Sequence, residues 1–204
     1  MQRSVDQRST TRRRVSRRRD PRVKSLGITA RQWPFIYVLV GNWLFSIAFF
    51  LGAKFIWDWV PEGWDDAGNR IALVIKDAVF ALLPGVIAIC IVAVQRLDPT
   101  MFVGRLAKPN SSLDINNRFI LNTFEQFTAY FIANAGLALY CPAAEARSLP
   151  ILTALFVLGR ILFWIGYHRN PYLRAFGFGL SFYPTVAIYA WLMLMIVFGI
   201  RITI

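Results

Sequence analysis

The fold is indicated most directly by residues 71–94, which read IALVIKDAVFALLPGVIAICIVAV. The only charged side chains in this run are Lys76 and Asp77. A helix needs about 20 predominantly apolar residues to cross the hydrocarbon core of a bilayer, and the run meets that length. It has almost none of the polar face that a helix on the surface of a soluble protein carries. We therefore predict a transmembrane helix here.

Four further apolar runs lie on either side of it, at residues 34–59, 119–140, 149–167 and 176–200. The whole chain is 56% hydrophobic and 17% charged, whereas soluble domains contain about 25% charged residues. The last run contains Gly177, Gly179 and Pro184, which membrane helices tolerate better than soluble ones. The sequence predicts an all-α integral membrane protein with five transmembrane helices.

The basic charge of the chain is concentrated in its N-terminal segment. The net charge is +12, and residues 1–33 hold 11 basic and 2 acidic residues. Such a segment cannot bury a core and is predicted to be disordered. We expect it to set the membrane orientation and to touch anionic headgroups, and we do not expect a nucleic-acid partner. Cys90 and Cys141 have no metal-ligand spacing, so no metal site is predicted.

The loop charges predict the orientation. Basic residues collect in the N-terminal segment, in residues 96–118 and in residues 168–174, whereas residues 58–70 are mainly acidic. Basic loops stay on the cytoplasmic side of a membrane. We therefore expect a cytoplasmic N-terminus and an external C-terminus in a plasma or inner membrane, an alternation that five spans satisfy.

Several polar residues interrupt the apolar runs at one depth. Arg118, Asn122 and Glu125 are spaced i, i+4, i+7 and share a helical face. Glu125 and Arg160 both lie roughly 10 Å from the cytoplasmic end of their helices. An unpaired charge is costly inside a membrane, so we expect these two to be in contact. Tyr167 lies seven residues after Arg160 and on the same face.

Two interpretations of these residues remain open. The pair can be an ion pair that only fixes helix packing. Alternatively, Arg118, Arg160 and Arg174 form a site for a small anion, because guanidinium groups match carboxylates. His168, the only histidine, lies in a basic loop and is interpreted as exposed.

Two segments carry a family resemblance. Residues 118–125 read RFILNTFE, and residues 159–177 read GRILFWIGYHRNPYLRAFG. The first resembles the R-x-x-x-N-x-x-E second-helix signature of the MAPEG family, the membrane-associated proteins in eicosanoid and glutathione metabolism. The second resembles the third-helix and loop signature of that family. The resemblance extends over about residues 71–200.

The resemblance implies a four-helix membrane bundle that assembles as a homotrimer and binds glutathione between subunits near the cytoplasmic side. Residues 70–204 would be this MAPEG-like domain. Residues 34–69 would supply an extra transmembrane helix with its outer loop, and residues 1–33 the basic cytoplasmic tail.

The resemblance also implies which residues form the glutathione site. Arg174 matches the arginine that stabilises the glutathione thiolate, so it is the candidate catalytic residue. The positions that match glutathione-contacting residues are Arg96, Arg118, Asn122, Glu125, Arg160 and Tyr167. The implied function is a glutathione-dependent transferase or peroxidase that uses glutathione as co-substrate and acts on hydrophobic electrophiles in the membrane.

Two departures keep an alternative open. Gln126 and Phe163 occupy positions that are tyrosine in some glutathione-conjugating members. The alternative is a non-catalytic membrane scaffold that retains the fold and binds a lipid or a partner protein. A small transporter is disfavoured, because it would need charged residues at several depths.

Overall fold

The computed structural model describes residues 33–57, 63–98 and 106–199. Within these residues the chain is helical and contains no strand. A short 3₁₀ turn at Ala143–Glu145 precedes the fourth helix. The helices are α1 (Trp33–Ile56), α2 (Ala67–Gln95), α3 (Ser112–Tyr140), α4 (Ser148–Arg169) and α5 (Pro171–Phe198). The predicted all-α helical membrane fold is therefore confirmed.

Capping hydrogen bonds set the helix boundaries, and two helices begin earlier in the sequence than predicted. The Ser111 side chain accepts a hydrogen bond from the Asp114 N–H, which starts α3 well before the predicted residue 119. The Asn170 side chain accepts from the Tyr172 N–H, and Pro171 occupies the first helical position of α5. Proline is favoured there because that N–H has no helical partner. As a result α4 and α5 are separated by a single residue.

Four of the five helices, α1, α2, α4 and α5, combine the length and hydropathy needed to cross a membrane. The remaining helix, α3, has 29 residues, a length of about 43 Å at 1.5 Å per residue. It is more polar, and it packs against α2, α4 and α5. It therefore has the length of a span, with part of its polar surface covered by neighbouring helices.

The closest helix packing joins α4 to α5. A Cβ on Gly166 would lie 2.2 Å from the Arg174 nitrogen, and a Cβ on Gly177 would lie 2.2 Å from the Phe163 nitrogen. Only glycine permits this approach, and small residues have the same role in other membrane helix pairs. This contact brings the beginning of α5 close to the end of α4.

The end of the bundle where α3 begins and α4 ends is called the basic end below. There Phe119 of α3 stacks on Trp164 of α4 with ring centroids 4.8 Å apart. Gln95, the last residue of α2, donates to the Ser112 hydroxyl at 3.1 Å. All four helices from α2 to α5 therefore have one terminus at the basic end.

The first helix contacts α5 through aromatic side chains and buries two polar residues. Its only buried residues are Asn42 and Ser46, which are one turn apart. Trp43 stacks on Tyr183 of α5, and Lys54 pairs with Glu145. The rest of the α1 surface is mostly apolar and exposed. The division into residues 1–33, 34–69 and 70–204 stays a prediction, and the tail up to residue 32 lies outside the described residues.

Candidate functional site

Arg160 lies in the interior of the bundle with none of its surface exposed. Its Nη2 donates to Asn122 Oδ1 at 3.1 Å, and its Nη1 donates to Ser181 Oγ at 3.3 Å. The guanidinium carbon lies 4.2 Å from the ring centroid of Phe163. Neutral acceptors and an aromatic face thus stabilise a cation that would otherwise be costly in an apolar interior.

The expected contact between Glu125 and Arg160 is wrong for the single chain. Glu125 is exposed, and the described residues place no ion pair between it and Arg160. Asn122 bonds Arg160 and Gln126 is buried, whereas the Glu125 side chain is exposed, although all three residues line the groove between α3 and α5. Because α3 begins at Ser112, Glu125 also lies about 20 Å from the start of its helix and not at the expected distance of about 10 Å. A contact across a subunit interface stays a prediction.

Ser181 and Gln126 complete the inner network, and neither was predicted as a partner of Arg160. Ser181 Oγ donates to Gln126 Oε1 at 2.6 Å. The Gln126 Nε2 group is buried and has no hydrogen-bond partner among the described residues. The three residues Arg160, Ser181 and Gln126 therefore tie α4, α5 and α3 together at one level. We call them, with Asn122, the inner network.

Arg118 and Arg96 lie at the basic end and outside this network. The Arg118 side chain is 55% exposed, and its Nη2 lies 2.9 Å from Asp114 Oδ2, one turn earlier in α3. Arg96 caps the C-terminus of α2 and is exposed. An exposed ion pair of the Arg118–Asp114 type is weak, so Arg118 can exchange Asp114 for another anion at small cost.

Arg174 and Tyr167 lie next to each other at the basic end. The Arg174 guanidinium carbon is 5.0 Å from the centroid of the Tyr167 ring. Arg174 is exposed and Tyr167 is partly buried. The close approach at Gly166 places the Arg174 backbone against α4. Arg174 therefore has a fixed backbone position and an accessible charge.

The structure divides the predicted site residues into two sets. Asn122 and Arg160 belong to the inner network. The exposed charges form the outer set, which consists of Arg96, Arg118 and Arg174 at the basic end and of Glu125, about 20 Å along α3. Tyr167 contacts Arg174 of the outer set, and its ring also packs on Phe163.

A groove of about 230 Å³ lies between α3 and α5, and it is lined by residues of the inner network and by Glu125 of the outer set. Its walls include Asn122, Glu125 and Gln126 of α3 and Ser181 of α5. The rest of the lining is largely aromatic and aliphatic. Such a groove offers one carboxylate, the four neutral polar side chains of Asn122, Gln126, Ser181 and Thr185, and the phenol of Tyr189 beside an apolar surface, a composition that suits an amphipathic ligand.

Two further polar clusters were not predicted. Asn116 Oδ1 accepts from Trp164 Nε1 at 3.0 Å and lies 3.3 Å from His168 Nε2. In the other cluster, Thr153 Oγ1 donates to Asp77 Oδ2 at 3.2 Å and lies 2.5 Å from the Tyr130 hydroxyl oxygen. Thr153 and Tyr130 carry no charge and gave no signal within their apolar runs.

The family model described as "MAPEG family" matches residues 78–194. The chain is 27% identical over 123 residues to a protein named Transmembrane protein 79 from Mus musculus, and 27% identical over the same length to the protein of that name from Bos taurus. The match covers 60% of this chain and 31% of each relative. No solved structure matches the chain.

Proposed function

Because the chain belongs to the MAPEG family, we propose that it is a glutathione-dependent transferase or peroxidase acting on hydrophobic electrophiles. It is a multi-pass membrane protein of that family, and the part of the chain that the structure describes holds four helices apolar enough to cross a membrane. The observation that carries the proposal is the outer set. Arg118 and Arg174 are exposed at the basic end, where a charged ligand can reach them, and Glu125 is exposed deeper along α3.

The chemistry follows from the charge of Arg174. A thiol is a weak nucleophile until it ionises, and a nearby cation favours the thiolate. Arg174 would supply that cation, while Arg118 and Arg96 would hold the carboxylates of the tripeptide. Glu125 would accept a hydrogen bond from the ammonium group of glutathione. The apolar part of the groove between α3 and α5 would admit the electrophile.

Arg160 has a different role in this proposal from the one that the resemblance implied. It has no exposed surface, so we assign it to positioning and not to direct contact with glutathione. Its hydrogen bond fixes the amide of Asn122, which lines the groove. Tyr167 similarly orients Arg174 through its ring.

A homotrimer is part of the same proposal. Glu125 is exposed on α3 beside apolar side chains such as Leu121 and Phe124. A carboxylate that faces lipid is costly, and intramembrane acids usually face the protein interior. A neighbouring subunit packed on this face of α3 would cover Glu125 and complete the groove with its own polar groups.

A non-catalytic scaffold is the second candidate, and one observation favours it. Phe163 packs on the Arg160 guanidinium, and the Gln126 carbonyl is already bonded to Ser181. Neither residue offers a hydroxyl to a sulfur atom. A protein with these substitutions can retain the family fold without the reaction.

The experiment that separates the two candidates uses the full chain purified in detergent. Mixing with glutathione in a stopped-flow spectrometer should produce the ultraviolet absorbance of a thiolate at neutral pH. A chain that binds glutathione without this absorbance, and that has no conjugation or peroxidase rate, would be a scaffold.

The orientation of the chain is also a proposal. We propose a cytoplasmic N-terminus and an external C-terminus in a plasma or inner membrane, on the basis of the loop charges. A reporter fused after residue 204 should report an external location. A cytoplasmic signal there would contradict five spans.

A further inference from the structure

A second cleft lies between α1 and the bundle, on a different side of α5 from the groove described above. It has a volume of about 210 Å³. Its walls come from α1, α4 and α5, with one residue of α3. The α1 wall presents Trp43, Ile47 and Phe50, and the facing wall includes Leu155. Because α1 lies outside residues 78–194, one wall of this cleft comes from a part of the chain that the family model does not cover.

Two serine hydroxyls line this apolar cleft without a partner. Ser46 of α1 is 6% exposed and Ser148 of α4 is 3% exposed. Neither hydroxyl has a hydrogen-bond partner among the described residues. Buried polar groups in native proteins are nearly always bonded, because leaving one unpaired is unfavourable. Two unpaired hydroxyls in the walls of one cleft indicate a ligand that bonds them.

The chemistry of the cleft defines its occupant. None of the described side chains that line it is charged, and Lys54 is paired with Glu145. The charge of an ionised headgroup would therefore have no opposite charge to pair with in the cleft. Leu51 and Ala187 line the cleft and are exposed, so it opens on the outer surface of the helices. An apolar cavity of about 150 Å³ holds benzene, and this cleft is larger.

We propose that the cleft between α1 and the α4–α5 pair binds a neutral single-chain lipid whose hydroxyl or carbonyl head bonds Ser46 and Ser148. The alkyl chain of the lipid lies against the Trp43 and Phe50 rings and extends out of the cleft through the opening beside Ala187. The site is independent of the proposed glutathione chemistry, since it uses neither the inner network nor the outer set.

The test uses the full chain in detergent and a dodecanol analogue that carries a photoreactive diazirine in its chain. After irradiation and proteolysis, mass spectrometry should find the label on cleft residues of α1, α4 or α5. Unlabelled 1-dodecanol should compete, and dodecane of the same chain length should compete much less, because it lacks the group that bonds the serines. Ser46→Ala and Ser148→Ala should each weaken the competition by dodecanol about fivefold.

A matched pair of substitutions tests the location. Ala187→Phe fills the cleft and should abolish specific labelling, whereas Ala190→Phe, at an exposed position of the same helix outside the cleft, should leave it unchanged. Labelling spread over the apolar surfaces of all helices and insensitive to Ala187→Phe would overturn the proposal. Equal competition by dodecane and dodecanol would also overturn it. If Ala187→Phe fails to fold, the dodecanol competition measured in the two serine variants tests the proposal instead.

Discussion

Arg160 in α4 and Arg174 in α5 belong to the same sequence motif, yet their environments differ completely. Arg160 is fully enclosed and bonded to Asn122 and Ser181. Arg174 is exposed and contacts the ring of Tyr167. The difference teaches that a charged residue in a membrane helix can serve the fold or a ligand, and that its exposure distinguishes the two roles. The inner network holds three helices together, and the outer set is left available.

The largest expected effect is the loss of stability in Arg160→Ala. The substitution leaves Asn122 unpaired and creates a cavity beside Phe163, so the free energy of unfolding should fall by about 3 kcal/mol. Denaturant unfolding in detergent measures this change. Arg174→Ala is the matched control, because its side chain is exposed, and it should change the same quantity by less than about 0.5 kcal/mol. Equal losses in the two variants would remove the distinction between the two arginines.

The next effect is the coupling between Arg160 and its partners. In a double-mutant cycle, Arg160→Met with Asn122→Ala should give a coupling energy of about 1.5–3 kcal/mol, as expected for a hydrogen bond to a charged group. The cycle of Arg160→Met with Glu125→Gln should give less than about 0.5 kcal/mol. A larger coupling for Glu125 than for Asn122 would instead place the Glu125–Arg160 contact across a subunit interface.

A smaller effect is expected on the ionisation of bound glutathione. If the Arg174 guanidinium lies beside the sulfur, Arg174→Ala should raise the pKa of the bound thiol by about one unit, which corresponds to about 1.4 kcal/mol. A pH titration of the thiolate absorbance measures the shift. Arg169→Ala removes another exposed arginine near the basic end and should leave that pKa unchanged. Shifts of the same size in both variants would indicate a general charge effect rather than a contact with sulfur.

Much of the fold could be predicted from the sequence, because the five apolar runs are long and nearly free of charge. Their boundaries were less predictable, since the caps at Ser111 and Asn170 extended α3 and α5 beyond the apolar residues. The docking of α1 was not predicted, although Asn42 and Ser46 at i, i+4 in an otherwise apolar run mark the buried face.

The inner network was only half predictable. Depth along a helix follows from residue number, so the sequence brought Arg160 to the right region of α3, but it selected Glu125 and not Asn122 as the partner. Rotation about the helix axis depends on tertiary packing, which turned Gln126 inward and Glu125 outward. Ser181 could not be recognised as a partner, because a serine within an apolar run also satisfies itself by bonding a carbonyl in its own helix, as Ser181 does with Phe178.

The smallest stability effect is expected at Arg118, and it gives the sharpest test of the outer set. Because the Arg118–Asp114 pair is exposed, Arg118→Ala should lower the free energy of unfolding by less than about 0.5 kcal/mol. Any change in ligand binding by this variant therefore cannot come from a damaged fold.

The most direct test of the central claim is the rise in Tm that glutathione causes in the wild-type chain and in Arg118→Ala. A ligand that binds only the folded state stabilises it in proportion to the logarithm of its concentration over Kd. We expect a concentration-dependent rise for the wild-type chain and a markedly smaller rise for Arg118→Ala, with nearly equal Tm values in the absence of glutathione. No rise in the wild-type chain, or the same rise in both proteins, would contradict it.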